Sequence, residues 1–280
     1  MKLVSFEIGD AKSFGCVTSD GIVDIGKHLG ARGKGLRAYL DDWRALLRFE
    51  AYPADHAVDD VTLLPPVPDP EHILCVGLNY KSHITETGRD TPKFPMLFNR
   101  YPESLVACDT ALIRPQISET FDFEGELAFV IGRGGRNIAK SAALEHVAGY
   151  ACFNDGSIRE FQRHTTQFLP GKNFWQSGSF GPWLVTPDEV GNLAELYLTT
   201  RLNGQEVQHA RLDDLLFGVE DLVAYISSFL PLQPGDVIAT GTTGGVGLFR
   251  EPQLWMKAGD VVEVEIDRLG LLSNAIKDGD

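Results

Sequence analysis

The succession of short apolar segments along residues 67–280 is the feature that most limits how this chain can fold. Seven segments follow one another, separated by turn residues: "HILCVGLNY", "GELAFVIG", "VAGYACFND", "GPWLVT", "LYLTTRLNG", "DVIATG" and "DVVEVEID". Helical patterns are fewer, and we expect them near 141–148, 156–165 and 212–229. Because the predicted strands outnumber the helices and do not alternate regularly with them, the pattern predicts a β-rich α+β fold rather than a doubly wound sheet.

A proline-rich segment, "LLPPVPDPEH", divides the chain near its first quarter. Its four prolines within six residues exclude a helix interior or a central strand and favour an extended connector. We therefore predict a small N-terminal domain over 1–66 and a main domain over 67–280. In the smaller one, short strands with a hairpin turn at Asp20-Gly21 precede an amphipathic helix with apolar residues at Leu36, Leu40, Trp43 and Leu47.

The balance of acidic and basic residues limits the kinds of molecule that this chain is expected to bind. The chain has 39 acidic and 25 basic residues and a net charge of −14. Nucleic-acid binders concentrate basic surface, so this balance argues against a nucleic-acid partner. A small anionic substrate remains compatible, because a local cation or a metal ion can dominate one cleft.

The cysteines and the hydropathy indicate the compartment. The four cysteines are far apart and form no CxxC pair, which favours a reducing environment. The first residues, "MKLVSFEIGD", lack an apolar signal segment, and charges interrupt every candidate membrane span. We therefore expect a cytoplasmic protein with no membrane partner.

The segment "FDFEGELAF", residues 121–129, places carboxylates beside a predicted core. In one continuous strand, alternation puts Asp122, Glu124 and Glu126 on one face and the large apolar side chains on the other. Either that face is solvated or a positive group lies against it. Asp155, in "FNDGS", has the position of a turn former or helix cap. Two glutamates and an aspartate from a second strand would also form an all-oxygen ligand set, which suits Mg²⁺, Mn²⁺ or Ca²⁺.

Three further patterns are compatible with chemistry, although each has an ordinary structural interpretation. His83 and Glu86 share a helical face, as a general base and its orienting carboxylate would, or as a surface pair would. Lys172 lies in a Gly- and aromatic-rich loop, where it could stabilise an oxyanion or simply be solvated. Residues 239–247, "ATGTTGGVG", suit a backbone that approaches a ligand closely, but they match no phosphate-binding motif.

Six segments between about residues 70 and 276 bring these patterns together: "ILCVGLNYKSHITE", "FDFEGELAFVIG", "AGYACFNDGSIREFQ", "GKNFWQSGSFGPWLVT", "LNGQEVQ" and "LQPGDVIATGTTGGVG". In this order they resemble the fumarylacetoacetate hydrolase family, most strongly at the Glu-x-Glu strand and the Asn-Asp turn. The resemblance implies that family's C-terminal fold, a mixed β-roll or barrel, beside a small N-terminal α/β domain.

The resemblance also implies a metal site. The ligands would be Glu124, Glu126 and Asp155, and the cation Mg²⁺ or Mn²⁺, with Ca²⁺ as a further candidate. Asp122 would then lie behind the ligands or face solvent.

The same resemblance assigns the remaining site residues. His83 and Glu86 match a catalytic dyad on a segment that closes over substrate, and Lys172 matches an active-site lysine. The substrate-binding residues implied are Arg159, Gln162, Thr242 and Gly241.

Two loops depart from the family pattern. Many members have Asp-Thr-Phe where this chain has Trp175, Gln176 and Ser177, and a proline where it has Thr243. Both loops border the ligand pocket in the family, so the departures bear on substrate identity.

The activity implied by the resemblance is hydrolysis of a carbon–carbon bond in a ketonic substrate. The substrate would be a small anionic 2,4-dioxo acid of the acylpyruvate or fumarylpyruvate type, from aromatic or sugar-acid catabolism, and the enzyme a homodimer. A decarboxylase, isomerase or hydratase of a 2-oxo diacid is the alternative, because all use a metal-stabilised enolate. A non-catalytic binder would be expected to lack one of the six metal and catalytic residues, and all six are present.

Overall fold

The computed structural model describes residues 1–31 and 33–279, and within them strands dominate. In chain order, the strands β1 to β18 are Lys2–Ile8, Ala11–Thr18, Gly21–Val23, Thr62–Leu64, Ile73–Gly77, Met96–Asn99, Leu105–Val106, Leu112–Arg114, Phe121–Asp122, Gly125–Ile131, Val147–Asn154, Ser157–Ile158, Gly178–Val185, Tyr197–Leu202, Gln205–Arg211, Val237–Thr242, Val261–Ile266 and Gly270–Asp278. The α-helices α1 to α6 are Ile25–His28, Lys81–Thr87, Arg159–Gln162, Leu169–Lys172, Pro187–Val190 and Val219–Ser227. Short 3₁₀ segments are Leu36–Ala51, Val58–Asp60, Pro102–Ser104, Lys140–His146, Leu193–Glu195, Leu212–Asp214 and Gly247–Phe249.

The strands form three sheets. The largest has the order β3-β2-β1-β13-β11-β10-β16-β5-β6, with β4 also paired to β1 and β7 to β13. A second sheet has the order β15-β14-β17-β18-β8, and β9 pairs with β12 alone. This is the predicted strand-rich α+β fold. Its sheets are open rather than closed into a barrel in the part of the chain that the structure describes.

The N-terminal residues extend the large sheet. Strand β1 pairs antiparallel with β13, with Leu3 opposite Leu184, and both side chains are fully buried. Residues from both sides of the proline-rich segment therefore contribute to one hydrophobic cluster. The division into 1–66 and 67–280 stays a prediction.

Strand β10 lies in the interior of the large sheet, between β11 and β16, and is buried along its whole length. Its alternate residues enter different cores: Leu127 and Phe129 pack in one cluster, whereas Ala128 and Val130 pack in another. Burial of a large aliphatic or aromatic side chain contributes roughly 1.5–3 kcal/mol to stability. This strand, with β11 beside it, thus forms a firmly held support for the residues at its beginning.

The helical predictions were partly wrong in extent. Residues 156–165 contain only the single turn α3, and 212–229 divide into a 3₁₀ turn and α6. The predicted amphipathic helix near 36–47 is helical but consists of 3₁₀ turns interrupted at Asp42 (φ −124°, ψ 49°). Its apolar face still packs on the core through Leu36, Leu40 and Trp43, so the burial pattern was predicted better than the helix type.

The segment 121–129 is not one strand. Strand β9 ends at Asp122 and β10 begins at Gly125, and the two belong to different sheets. The break leaves Glu124 outside both strands, where its backbone N–H bonds to the Asn154 side chain (3.1 Å). The three acidic side chains therefore come from the end of β9, from the loop after it and from the start of β10, and all three are buried.

Candidate active site

Three carboxylates converge where β10 begins and β11 ends. The antiparallel register places Gly125 opposite Asn154, and the N–H of Asp155 donates to the carbonyl of Glu124 (2.8 Å). One carboxylate oxygen each from Glu124, Glu126 and Asp155 lies within 4.8 Å of the others. The structure thus brings together the three residues predicted as metal ligands.

Two buried cations lie against this carboxylate cluster. The ammonium group of Lys172 is 2.6 Å from Oε2 of Glu124 and 2.5 Å from Oδ2 of Asp155. It also lies 3.4 Å from the Asp155 carbonyl. Arg159 Nη1 is 2.5 Å from Oε1 of Glu124. Positive groups, rather than solvent, therefore lie against the acidic face.

Asp122 has a structural role that its pattern did not show. Its Oδ2 accepts from Nε of Arg159 (2.7 Å), and its oxygens also accept the N–H groups of Gly247 (2.8 Å) and Leu248 (3.0 Å). It is fully buried, so the solvent-facing option was wrong. Asp122 holds the Arg159 guanidinium against Glu124.

Arg100 is a site residue that sequence reasoning missed. Its Nη1 lies 2.5 Å from Oδ1 of Asp155, and its other donors bond to Ser104, to Gly156 and to the hydroxyl of Ser177 (2.9 Å). Both side chains of the ion pair are fully buried. In the sequence, Arg100 lies in "FNRYPE", which has the composition of a surface loop, and no local pattern marks it.

When all four carboxylates of the site are ionised, the buried charges do not balance without a further cation. Four carboxylates (Asp122, Glu124, Glu126 and Asp155) meet three cations (Arg100, Arg159 and Lys172), which leaves one excess negative charge. Burial, with Asp155 and Glu124 nearby, raises the pKa of Glu126 well above its usual value. Burial acts on Glu124 in the same direction, but Arg159 and Lys172 outweigh it and lower the pKa of Glu124 to about 2.

This donor set fits a hard divalent cation. The three converging groups offer only carboxylate oxygen, the ligand that Mg²⁺ and Mn²⁺ prefer. Within residues 1–31 and 33–279, no cationic group lies within salt-bridge distance of Glu126, whose Oε2 accepts the N–H of Gly241 (2.8 Å). A divalent ion would compensate the excess negative charge at Glu126.

A cavity of about 450 Å³ opens onto these residues. Glu124, Glu126 and Lys172 are buried and form its floor, whereas the segments 87–89 and 163–166 form an exposed rim. Its walls are mostly apolar and comprise Val76, Leu78, Met96, Phe98, Phe168, Leu248 and Phe249. A deep charged floor under apolar walls is the usual form of a small-molecule site.

His83 and Glu86 form a pair on α2 at one side of the cavity. Nδ1 of His83 is 3.0 Å from Oε2 of Glu86, and Oε1 of Glu86 accepts the N–H of Gly245 (2.9 Å). Burial opposes ionisation of Glu86, but the bonds from His83 and Gly245 lower its pKa overall. Because Nδ1 is occupied, Nε2 is the ring nitrogen left for the cavity that His83 lines.

The other predicted substrate-binding residues differ in exposure to the cavity. Thr242 and Gln162 line it, and Gln162 also accepts from Nη1 of Arg159 (2.9 Å). The Thr242 hydroxyl bonds to the Gly125 carbonyl (3.0 Å). Gly241 does not line the cavity, and its N–H bonds to Glu126 instead.

The residues that depart from the family pattern also lie outside the cavity wall. Trp175, Gln176, Ser177 and Thr243 are absent from its lining among the residues that the structure describes. Ser177 lies under Arg100, and the Gln176 N–H bonds to the carbonyl of Glu103 (3.1 Å). The residues at 175–177 that depart from the family pattern therefore lie next to the Arg100–Asp155 pair and not at the cavity.

A scan against protein-family models supports the relationship that the site suggests. The model described as "Fumarylacetoacetate (FAA) hydrolase C-terminal" matches residues 72–277. The chain belongs to the fumarylacetoacetate hydrolase family. The match includes every site residue named above, from Val76 to Phe249.

The names of curated relatives within the family state a more specific activity. A mitochondrial oxaloacetate tautomerase of Xenopus laevis is 38% identical over 99% of this chain and 90% of its own. A mitochondrial oxaloacetate tautomerase of Homo sapiens is 41% identical over 78% of this chain and 70% of its own. Because these names place both relatives in mitochondria, the cytoplasmic location expected here stays a prediction. Among the residues described, no helix has the length and apolar character needed to cross a membrane.

A solved structure in the same family contains a metal. Maleylpyruvate hydrolase from Sphingobium sp. SYK-6, in complex with manganese(II) and pyruvate, is 28% identical and superposes with a TM-score of 0.84 over the whole of both chains. The fold is therefore shared with an enzyme whose structure holds the kind of cation that the carboxylates of this chain fit.

Proposed function

We propose that this protein is a divalent-metal-dependent enzyme that interconverts the enol and keto forms of a 2-oxo diacid such as oxaloacetate. The observation that carries the proposal is the His83–Glu86 pair beside a cavity whose floor is a metal-compatible carboxylate cluster. The names of the two tautomerase relatives support this assignment. It corresponds to the isomerase alternative that the sequence left open.

Glu124, Glu126 and Asp155 would hold the cation, either Mg²⁺ or Mn²⁺. Once bound, a divalent ion would act as a Lewis acid toward the oxygens of a 2-oxo acid. Arg159 adds a donor from the protein, because this residue lines the cavity and its buried Nη2 has no partner among the described residues. A substrate carboxylate that reached Nη2 would supply the acceptor that this buried donor lacks.

His83 is placed to move the proton. Ketonisation removes the proton of the 2-hydroxyl group and adds one proton at C3, so no net proton is gained or lost. Nε2 of His83 serves as the acid or base in one of these transfers, while Glu86, bonded to Nδ1, stabilises the protonated ring. The apolar walls limit water at C3, which favours proton transfer over addition of water.

Hydrolysis of a carbon–carbon bond is the second candidate, supported by the maleylpyruvate hydrolase neighbour. In that reaction His83 would activate a water and Lys172 would stabilise an oxyanion. The ammonium of Lys172 has three donors, and Glu124, the Asp155 carboxylate and the Asp155 carbonyl already accept from it. This saturation favours tautomerisation, which needs no lysine donor.

The deciding experiment follows oxaloacetate and acetylpyruvate in parallel, using chelated protein with and without added Mg²⁺ or Mn²⁺. Tautomerisation predicts accelerated loss of the oxaloacetate enol absorbance without pyruvate release, and dependence on both metal and His83. Variants His83→Gln and Glu124→Gln test the two parts of the site, and Lys140→Gln serves as an exposed control. Metal-dependent release of pyruvate from acetylpyruvate would select the hydrolase instead, and inactivity on both substrates would reject both candidates.

A further inference from the structure

Two arginines on the cavity rim are used neither by the fold nor by the chemistry described above. Arg89 follows α2, and Arg163 follows α3, so they reach the same cavity from separate segments. Both residues are exposed, whereas the charged groups of the floor are buried. The cavity therefore has one set of cations deep inside and another at its mouth.

The two sets differ in their pairing. On the floor, Lys172 and Arg159 each contact at least one carboxylate. For the guanidinium groups of Arg89 and Arg163, the residues that the structure describes provide no carboxylate within 4.0 Å and no hydrogen-bond acceptor. In a chain with a net charge of −14, two unpaired arginines at one opening are available to an anion from solution.

The polar groups of the cavity are thus arranged in two tiers. The inner tier is the metal-compatible cluster with the unpartnered Nη2 of Arg159, and the outer tier is Arg89 and Arg163 with nearby threonine hydroxyls. Apolar side chains such as Phe98 and Phe168 lie on the wall. A molecule with an anionic group at each end and a short carbon chain between them would match this arrangement.

We propose that Arg89 and Arg163 form a subsite for the second carboxylate of the substrate, so that the enzyme selects 2-oxo dicarboxylates over 2-oxo monocarboxylates. This inference rests on the proposed function, because it takes the 2-oxo carboxylate end to lie at the floor. Arginine suits the role, since its planar fork matches a carboxylate with two parallel hydrogen bonds.

Binding without turnover tests the subsite. Calorimetric titrations of the Mg²⁺-loaded protein would compare 2-oxoglutarate with 2-oxopentanoate, and 2-oxoadipate with 2-oxohexanoate. Within each pair, a methyl group replaces the distal carboxylate at the same carbon count. We expect the wild-type protein to bind the diacid of at least one pair more tightly, with a preference that declines as salt is added.

Single variants Arg89→Gln and Arg163→Gln should each reduce the diacid preference by about two- to fivefold, the range of exposed ion pairs, and the double variant should nearly abolish it. Binding of the monoacids should change little. Arg136→Gln is the matched control, because Arg136 is also exposed but does not line the cavity. A preference that is absent in the wild type, or unchanged in the double variant, would overturn the subsite.

The enol assay separates this inference from the proposed function. If the metal-loaded enzyme ketonises oxaloacetate but binds diacids and monoacids equally, the subsite is wrong and the tautomerase stands. If the diacid preference depends on the two arginines while oxaloacetate is not ketonised, the subsite stands and the reaction must be reassigned.

Discussion

Nη1 of Arg100 lies 2.5 Å from Oδ1 of Asp155, and neither side chain is accessible to solvent. The guanidinium also bonds to Ser104, Gly156 and Ser177, so its donors are satisfied within the protein. Asp155 in turn accepts from Lys172 through its other oxygen. A single arginine, distant in the sequence, therefore fixes the orientation of a predicted metal ligand.

Replacing Arg100 with methionine should destabilise the protein strongly. The change removes one partner of a buried ion pair and leaves Asp155 with less compensation, which typically costs about 3–5 kcal/mol. Urea unfolding of the wild type and of Arg100→Met would measure the difference. Lys140→Met is the control, because the Lys140–Asp221 pair is exposed and its loss should change the unfolding free energy far less. Equal losses in the two variants would contradict this interpretation.

Removal of divalent cations should lower thermal stability through Glu126 in particular. An ion that binds only the folded state stabilises that state by mass action. The ionised carboxylate cluster would bind such an ion because it carries one excess negative charge. Scanning calorimetry should show a higher Tm with Mg²⁺ or Mn²⁺ than with chelator. In Glu126→Gln the metal-dependent rise should disappear, while the chelated variant should be at least as stable as the chelated wild type. A persistent metal effect in Glu126→Gln would remove this carboxylate from the ligand set.

Gly245 should be intolerant of a side chain. Its φ is +99°, a Cβ there would overlap the carbonyl oxygen of Val207, and its N–H orients Glu86. Gly245→Ala should therefore lower kcat by disturbing the His83–Glu86 pair, while metal affinity stays unchanged. Gly259→Ala is a matched control, since Gly259 has φ +91° but open space around it. Comparable loss of kcat in both variants would mean that backbone strain, and not the contact with Glu86, is responsible.

Stability should also fall in acid through Asp55. Burial opposes its ionisation, but hydrogen bonds from Lys27, Asp24 and His28 lower its pKa from 3.8 to about 2. A lowered folded-state pKa stabilises the protein above pH 3.8, and that stabilisation is lost as pH falls toward 2. Because Lys27 is exposed, solvent screening weakens the contribution of this pair to stability. Unfolding free energies at pH 6 and pH 2.5 should differ less in Asp55→Asn than in the wild type.

The sequence was a good guide to strands and a poorer guide to helices. Alternation and turn residues are local, so segments such as "VAGYACFND" and "DVVEVEID" were placed correctly as β11 and β17. The helix predicted over 156–165 was too long. Residues Ser157–Ile158 pair with β9 as a strand instead, and the helix is limited to Arg159–Gln162. Helix propensity is weak, and tertiary contacts override it.

The candidate site could be predicted from the sequence only at the residues that match the family's motifs. Glu124, Glu126 and Asp155 were found through the resemblance, and the pairing of β10 with β11 explains why they meet. Arg100 lies 55 residues from Asp155, and no periodicity links the two positions. Such a contact depends on how whole sheets pack against one another. A single sequence does not reveal that packing.

The burial of β10 on both faces has a consequence for motion. Native-state hydrogen exchange should find its amides among the slowest, because opening this strand would expose two hydrophobic clusters at once. Helix α2 is different, since only His83 and Ile84 of its seven residues are buried. The amides of α2 should exchange through local opening that leaves β10 closed. We therefore expect the carboxylate cluster to stay in place with β10, whereas the His83–Glu86 pair should separate from the site during local opening of α2.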